Sequence, residues 1–149
     1  MGTWTVRSFA ELSAYQLYAV LRLRVDVFVV EQNCPYPELD GLDQEATHVM
    51  LHSDDGALIA YARILPPHED GLPHIGRVIV RETARGTGVA SELMERALHQ
   101  VEVLFGSKRS ALAAQAHLER FYAKHGFRRT GADYLLDGIP HVDMRREGQ

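Results

Sequence analysis

The chain has 149 residues, 46% of them hydrophobic, and a formal net charge of −4. This length fits a single domain, and the acidic balance argues against a general nucleic-acid binder, which would carry a basic excess. Cys34 is the only cysteine, so no intrachain disulfide can form, and residues 1–9 lack the apolar core of a signal peptide. No apolar run approaches the ~20 residues of a membrane span. We therefore expect a cytoplasmic protein without a nucleic-acid or membrane partner.

The N-terminal half predicts a strand, a helix and a β-hairpin. Strands are expected at residues 4–7, 48–52 and 57–65, with a turn at 54–56, where Asp-Asp-Gly is a hairpin signal. Ser13 is placed to cap a helix that begins at residue 14 and carries apolar side chains on one face. Residues 28–30 either end or extend that helix. Residues 35–44 read equally well as part of a functional surface or as a solvated connection.

The C-terminal half alternates strands and helices. Strands are expected at 75–80, 127–130, 134–136 and 141–145, and helices at 89–105 and from residue 118 to 125. Gly106 is well placed to end the longer helix. This order predicts an α/β fold with a mixed sheet and helices on its faces.

One loop between the central strand and the helix from residue 89 carries the strongest chemical signal. It follows the β-branched run Val78, Ile79 and Val80, and its residues are Arg85, Gly86, Thr87, Gly88, Val89 and Ala90. Two glycines let the backbone approach a ligand closely, and the first N–H groups of a helix are unpaired. Together with the helix dipole they make an anion site. The spacing fits neither a nucleoside-triphosphate loop nor a Gly-x-Gly-x-x-Gly fingerprint.

The pattern Arg-x-x-Gly-x-Ala, five residues after Val80, resembles motif A of the GCN5-related N-acetyltransferases (GNAT). Residues 115–127 resemble motif B of that family. The resemblance implies one N-acetyltransferase domain over residues 1–149, with a GNAT sheet of about six to seven strands and about four helices. It also places a strand at 110–114, where the alanines are only weak strand formers.

The same resemblance assigns roles to individual residues. It implies that the loop amides hold the pyrophosphate of acetyl-CoA, that the backbone of residues 78–80 pairs with pantetheine, and that the Gln115 amide contacts the pantetheine arm. Tyr122 matches the tyrosine that protonates the departing thiolate. A phenol of ordinary pKa is protonated at neutral pH, so it can serve as a general acid. The alternative is that Tyr122 is a core aromatic residue.

Four longer stretches are similar to the ElaA-like subfamily, and together they span almost the whole chain. They are residues 23–36, 75–78, 115–118 and 137–141. This resemblance names no acceptor, because the subfamily is poorly defined in function.

The sequence does not decide which residue is the general base. A lysine-type amine must lose a proton before it attacks a thioester, and residues 75–80 contain no carboxylate. The foremost candidates are Glu31 and His141; His74 and Asp143 follow, with His48 and His117 behind them. Eight histidines invite a metal hypothesis, but only His48 and His52 are four residues apart, on a predicted strand, so no metal is expected.

Two other functions compete with transfer of an acetyl group to the amine of a small molecule or peptide. One is a non-catalytic acyl-CoA-binding sensor, for which the glycine loop alone would be sufficient. The other is an acyl-homoserine-lactone-synthase-like enzyme, since Arg24, Phe28, Asp40 and Asp43 faintly resemble those synthases, although the strong glycine loop argues against it. Residues 31–43 and 68–73 are expected to form the acceptor side of the cleft. A homodimer is possible, but no stretch identifies an interface.

Overall fold

The computed structural model describes residues 2–148, which form eight strands and three α-helices in a mixed α/β arrangement. The strands are β1 (Gly2–Ser8), β2 (Thr47–Ser53), β3 (Leu58–Leu65), β4 (His74–Val80), β5 (Ser110–Gln115), β6 (Phe127–Arg129), β7 (Tyr134–Leu136) and β8 (Ile139–Arg146). The helices are α1 (Ala14–Arg24), α2 (Val89–Phe105) and α3 (Glu119–Ala123). Short 3-10 turns occupy Phe9–Glu11, Asp43–Glu45, Glu82–Ala84 and Ala116–Leu118.

Local signals explain where the helices begin and end. The Ser13 hydroxyl accepts from the Gln16 amide at 3.0 Å, and the Gln16 side chain accepts from the Ser13 N–H, a reciprocal capping box at the start of α1. Beyond Arg24 this helix continues as a π-helix over Val25–Glu31. The second long helix lies between Gly88 and Gly106, whose φ angles of 85° and 77° are left-handed.

All eight strands belong to one sheet in the order β1-β2-β3-β4-β5-β8-β6, with β7 also paired to β8. Every neighbouring pair is antiparallel except β4 and β5. One apolar cluster packs α2 and α3 against one face of the sheet. A second packs α1 and the π-helix against the other face, where it reaches only β2, β3 and β4.

The predicted class is confirmed, while the counts differ slightly. The family resemblance implied six to seven strands, whereas the structure has eight, and each lies where a strand was expected. Three α-helices replace the expected four, since the segment after Arg24 extends α1 and does not start a new helix.

The two halves of the sheet separate at its centre. The strands β4 and β5 pair only at His74 and Ala111, near their starts, so their later residues diverge. On its other side β4 carries a β-bulge, where two residues oppose Ala62, and Arg77 there has a left-handed φ of 52°. A cleft therefore opens between the carboxyl ends of β4 and β5.

Candidate active site

The glycine loop lies at the carboxyl end of β4 and leads into α2. Gly86 and Gly88 have φ angles of 77° and 85°, and a Cβ built on either would meet nothing within 4 Å, so the backbone surface is open. Within residues 2–148 no hydrogen bond occupies the N–H groups of Gly86, Thr87 or Gly88. The first N–H groups of α2 are unpaired by helix geometry. Several donors and the positive end of a helix dipole thus converge on one accessible point, which fits a pyrophosphate.

Backbone groups of β4 also face the cleft. The Arg81 N–H bonds to the Ile59 carbonyl at 2.8 Å, so Arg81 faces β3. Because directions alternate along a strand, the N–H and C=O of Val80 point the other way, towards β5. The Val80 carbonyl there accepts from Arg85 Nε at 2.8 Å. With β5 diverging, the Val80 N–H is placed to pair with an extended ligand.

Residues 31–34 cross the open end of this cleft and touch both sides. Glu31 accepts from the Arg85 guanidinium through both oxygens, at 2.7 and 3.1 Å. The amides of Gln32 and Gln115 bond to each other at 3.2 and 3.4 Å. The Cys34 thiol donates to the carbonyl of Asp137 at 3.3 Å. We call residues 31–34 the strap.

Tyr122 lies in α3 beneath the diverging strands. Its side chain is only 6% exposed, and the ring packs edge-on against Phe121 and Phe127. Burial raises the pKa of the phenol to about 12. In the described part of the chain its hydroxyl forms no hydrogen bond. The group is thus protonated at neutral pH, and no protein acceptor competes for its proton.

His141 lies on β8 directly opposite Gln115 at the end of β5. Its Nδ1 is 2.7 Å from the Ile139 carbonyl. A carbonyl can only accept, so Nδ1 carries the hydrogen, and Nε2 of the neutral ring keeps its lone pair. The ring stacks on Tyr134 with centroids 6.2 Å apart. This tautomer is the one that a general base requires.

The structure separates the remaining candidates. Asp143 is exposed and accepts from the Tyr134 hydroxyl at 2.6 Å. His74 pairs with Asp70 at 2.7 Å at the other end of β4, and His117 is exposed in the turn after β5. Hence these three residues do not converge with the glycine loop.

His48 is fully buried far from the cleft. Its Nε2 donates to the Asp43 carbonyl at 3.0 Å, and its Nδ1 accepts from the Tyr61 hydroxyl at 2.6 Å. Burial lowers the pKa of the ring, so it is neutral and structural. Among residues 2–148 no group of three or more His, Cys, Asp or Glu side chains is arranged to hold a metal ion.

A group of charges, of which only Arg24, Asp40 and Asp43 were grouped on sequence grounds, fills the space under α1 and the π-helix. This ionic cluster consists of three arginines and three carboxylates: Arg24, Arg63, Arg77, Glu38, Asp40 and Asp43. Arg24 is fully buried and bonds to Glu38 at 2.8 Å and to Asp43 at 2.6 Å. Arg77 extends from the bulge of β4 to Glu38. The cluster thereby fixes residues 36–43 against the centre of the sheet.

The pairing of opposite charges shifts the pKa values of side chains in the cluster. Burial alone would lower the pKa of Arg24, but hydrogen bonds to Asp43 and Glu38 raise it well above its usual value. The hydrogen bond from Arg63 lowers the pKa of Asp40. Burial opposes ionisation of Asp43, yet the neighbouring arginines still lower its pKa. Arg24, Asp40 and Asp43 are therefore charged across the neutral range.

Comparison with known proteins finds relatives that match nearly the whole chain. The family model of the GNAT acetyltransferase domain matches residues 21–147. The protein ElaA of Escherichia coli K12 is 46% identical over 99% of this chain and 97% of its own length. A protein of the fission yeast Schizosaccharomyces pombe is 41% identical over 93% of each chain.

Solved structures show the same relationship. The crystal structure of an acyl-CoA N-acyltransferase from Pseudomonas aeruginosa superposes with a TM-score of 0.93, at 46% identity, over 98% of this chain and 99% of that one. The E. coli ElaA structure gives 0.91 at 45% identity, over 99% and 100%. The CoA-dependent acyl-homoserine lactone synthase BjaI, solved with SAM and isopentyl-CoA, gives 0.82 at 15% identity, over 100% and 84%, which is a likeness of fold alone. No helix of residues 2–148 is long and apolar enough to cross a membrane.

Proposed function

The chain belongs to the GNAT acetyltransferase family, whose fold binds acyl-CoA, and from that premise we propose that it is an acetyl-CoA-dependent N-acetyltransferase. The acceptor is an amine of a small molecule or peptide, and transfer is direct. The observation that carries the proposal is the protonated, unpartnered hydroxyl of Tyr122 beneath a cleft that begins at the open glycine loop. A sensor would need the loop but not that hydroxyl.

The residues of the chain divide the work of binding. The N–H groups of Gly86, Thr87 and Gly88 and the start of α2, at Val89 and Ala90, hold the pyrophosphate. The backbone from Val78 through Ile79 to Val80 holds the pantetheine, and the Gln115 amide contacts the same arm. Acetyl-CoA, when bound there, supplies the acetyl thioester that the reaction consumes.

Proton handling falls to two side chains. His141 Nε2 accepts a proton from the acceptor ammonium, so that the free amine can form the new C–N bond to the acetyl carbon. Tyr122 gives its proton to the sulfur as the C–S bond breaks. The Val80 N–H is also placed to stabilise developing negative charge on the carbonyl oxygen. The nitrogen loses two protons in all: one passes to His141 and then to solvent, and the second restores the phenol of Tyr122. The products are therefore one amide, one thiol and one released proton.

Glu31 takes a different role in this scheme. Both of its oxygens are engaged by Arg85, so we assign it to holding the glycine loop and the strap together. His141 is consequently preferred as the base.

The test is release of free thiol from acetyl-CoA, measured against a panel of amines, polyamines, amino acids, peptides and S-adenosylmethionine. Amine-dependent thiol release with matching N-acetylated product by mass spectrometry is expected. CoA binding without release by any amine would favour the sensor. Release only with S-adenosylmethionine and longer acyl-CoA would favour the synthase-like alternative, with which this chain shares the fold.

A further inference from the structure

One face of the C-terminal half of the sheet is partly uncovered, with Ala111 and His141 buried on it. Along β8 the side chains of Val142 and Met144 are buried on the α2 side, whereas Asp143 between them is exposed. Ala113, which pairs with Asp143 from β5, is exposed as well. The apolar cluster under α1 ends at β4. The open face of β5, β8 and β6 is thus continuous with the divergent end of β4 and β5.

Two arginines stand directly opposite each other on this face, Arg128 on β6 and Arg145 on β8. Like charges in direct cross-strand register repel and destabilise a sheet. In the part of the chain that the structure describes, neither guanidinium forms an ion pair or a side-chain hydrogen bond, and the Nε of Arg145 is buried without a partner. Such a pair is the arrangement that an external anion would relieve.

Two carboxylates lie near these arginines, and within residues 2–148 neither forms an ion pair with them. Glu147 lines a surface pocket together with both arginines but pairs with Arg109 at 3.3 Å. The carboxylate of Asp70 lies within electrostatic range of Arg145, but its oxygens already accept from the Leu72 N–H and from His74. By contrast, the arginines at 24, 63, 77, 85 and 129 all form ion pairs. The pocket that Arg128 and Arg145 line has a volume of about 750 Å³ and lies at the edge of the sheet.

The same face leads from these arginines to the proposed base. His141, Asp143 and Arg145 follow at two-residue spacing along β8, in steps of about 7 Å. At the end of this face where His141 lies, the strap forms the boundary, because the Gln32 side chain hydrogen-bonds to Gln115. An acceptor lying along β8 would place its ammonium beside Asp143 and His141 and its far end at the paired arginines.

Building on the acetyl-transfer function, we propose that the acceptor carries an anionic group, a carboxylate or a phosphate, which Arg128 and Arg145 bind about 7–13 Å from the reacting amine. This defines the acceptor class as an amino acid-like or phosphorylated amine and excludes simple polyamines as the preferred substrates.

Paired acceptors test the proposal with saturating acetyl-CoA. The pairs are 6-aminohexanoate against hexylamine, and O-phosphoethanolamine against ethanolamine. The wild-type protein should favour the anionic member of at least one pair by about tenfold in kcat/KM, mainly through KM. Arg145→Gln and Arg128→Gln should each remove most of that preference. Arg120→Gln, which removes an exposed charge from α3, is the matched control and should retain it.

The outcomes separate this inference from the proposed function. Equal kcat/KM within both pairs would overturn the anionic acceptor and leave N-acetyl transfer standing. If no amine supports thiol release, the proposed acetyl transfer is wrong. Binding of the anionic amines is then measured by NMR of the CoA-saturated protein. The Nε–Hε resonances of Arg128 and Arg145 should shift with 6-aminohexanoate or O-phosphoethanolamine and not with the neutral-tailed amines. Absence of such shifts at millimolar concentration would overturn the anion site.

Discussion

Replacing Tyr122 by Phe should make the protein more stable and less active at once. The Tyr122 side chain is buried as a whole, burial raises its pKa to about 12, and its hydroxyl bonds to none of the described residues. Removing a hydroxyl that has no protein partner and little contact with solvent should stabilise the fold by up to about 1 kcal/mol. For a chain of this size that raises Tm by about 2–4 °C. Loss of a general acid should lower turnover by ~10²–10⁴-fold.

Tyr61→Phe is the matched control, because Tyr61 is also buried but its hydroxyl donates to His48 at 2.6 Å. That variant leaves a buried acceptor unpaired, so it should lose about 1–3 kcal/mol of stability and retain turnover. The measurements are thiol release at saturating acetyl-CoA, CoA affinity by calorimetry and Tm by scanning calorimetry. Unchanged turnover of Tyr122→Phe, with chemistry shown to limit the rate, would remove Tyr122 from the mechanism.

The remaining predictions concern the loop, the base and a buried histidine. Gly88→Asp should weaken CoA binding, measured by calorimetry, at least about tenfold more than Gly88→Ala. Both variants carry the strain of a left-handed φ of 85°, but only aspartate repels a pyrophosphate. Equal losses of affinity would exclude the site. His141→Gln should lower kcat by ~10²–10⁴-fold and leave CoA binding unchanged, while Glu31→Gln should weaken CoA binding and largely retain kcat. The reverse pattern would make Glu31 the base. Burial lowers the pKa of His48 in the folded protein. Below about pH 6.5 the histidine is therefore protonated in the unfolded chain but not in the folded one. The free energy of unfolding should fall on acidification by up to ~1.4 kcal/mol per pH unit. In denaturant titrations at several pH values, His48→Gln should reduce that slope, and an unchanged slope would contradict the assignment.

Features encoded by neighbouring residues could be predicted from the sequence. Ser13 and Gln16 are three apart and cap a helix by direct contact, and Gly88 and Gly106 mark the two ends of α2 through their own conformational freedom. The hairpin at Asp55 and Gly56 follows from the same local chemistry. These predictions succeeded because few distant contacts are needed to favour one backbone conformation.

Features that depend on distant contacts could not be read in this way. Arg24 is 14 and 19 residues from its partners Glu38 and Asp43, and each charge alone is typical of a solvated surface. The left-handed Arg77 gives no sequence signal, because a non-glycine residue holds that conformation only when its surroundings compensate. The opposition of Arg128 and Arg145 depends on strand register, which the pattern of residues 127–145 left open.

The single residue pair that joins β4 to β5 leaves a seam in the backbone hydrogen bonding of the sheet, although one apolar cluster under α2 and α3 spans both halves. On one side, the ionic cluster and the apolar cluster under α1 bind β2, β3 and β4 to residues 36–43. On the other, β5, β6 and β7 all pair with β8 within residues 110–146. Backbone amides along this seam should exchange with solvent sooner than those of either ladder. A ligand lying between β4 and β5 would supply the missing backbone hydrogen bonds, so we expect its binding to slow amide exchange along this seam.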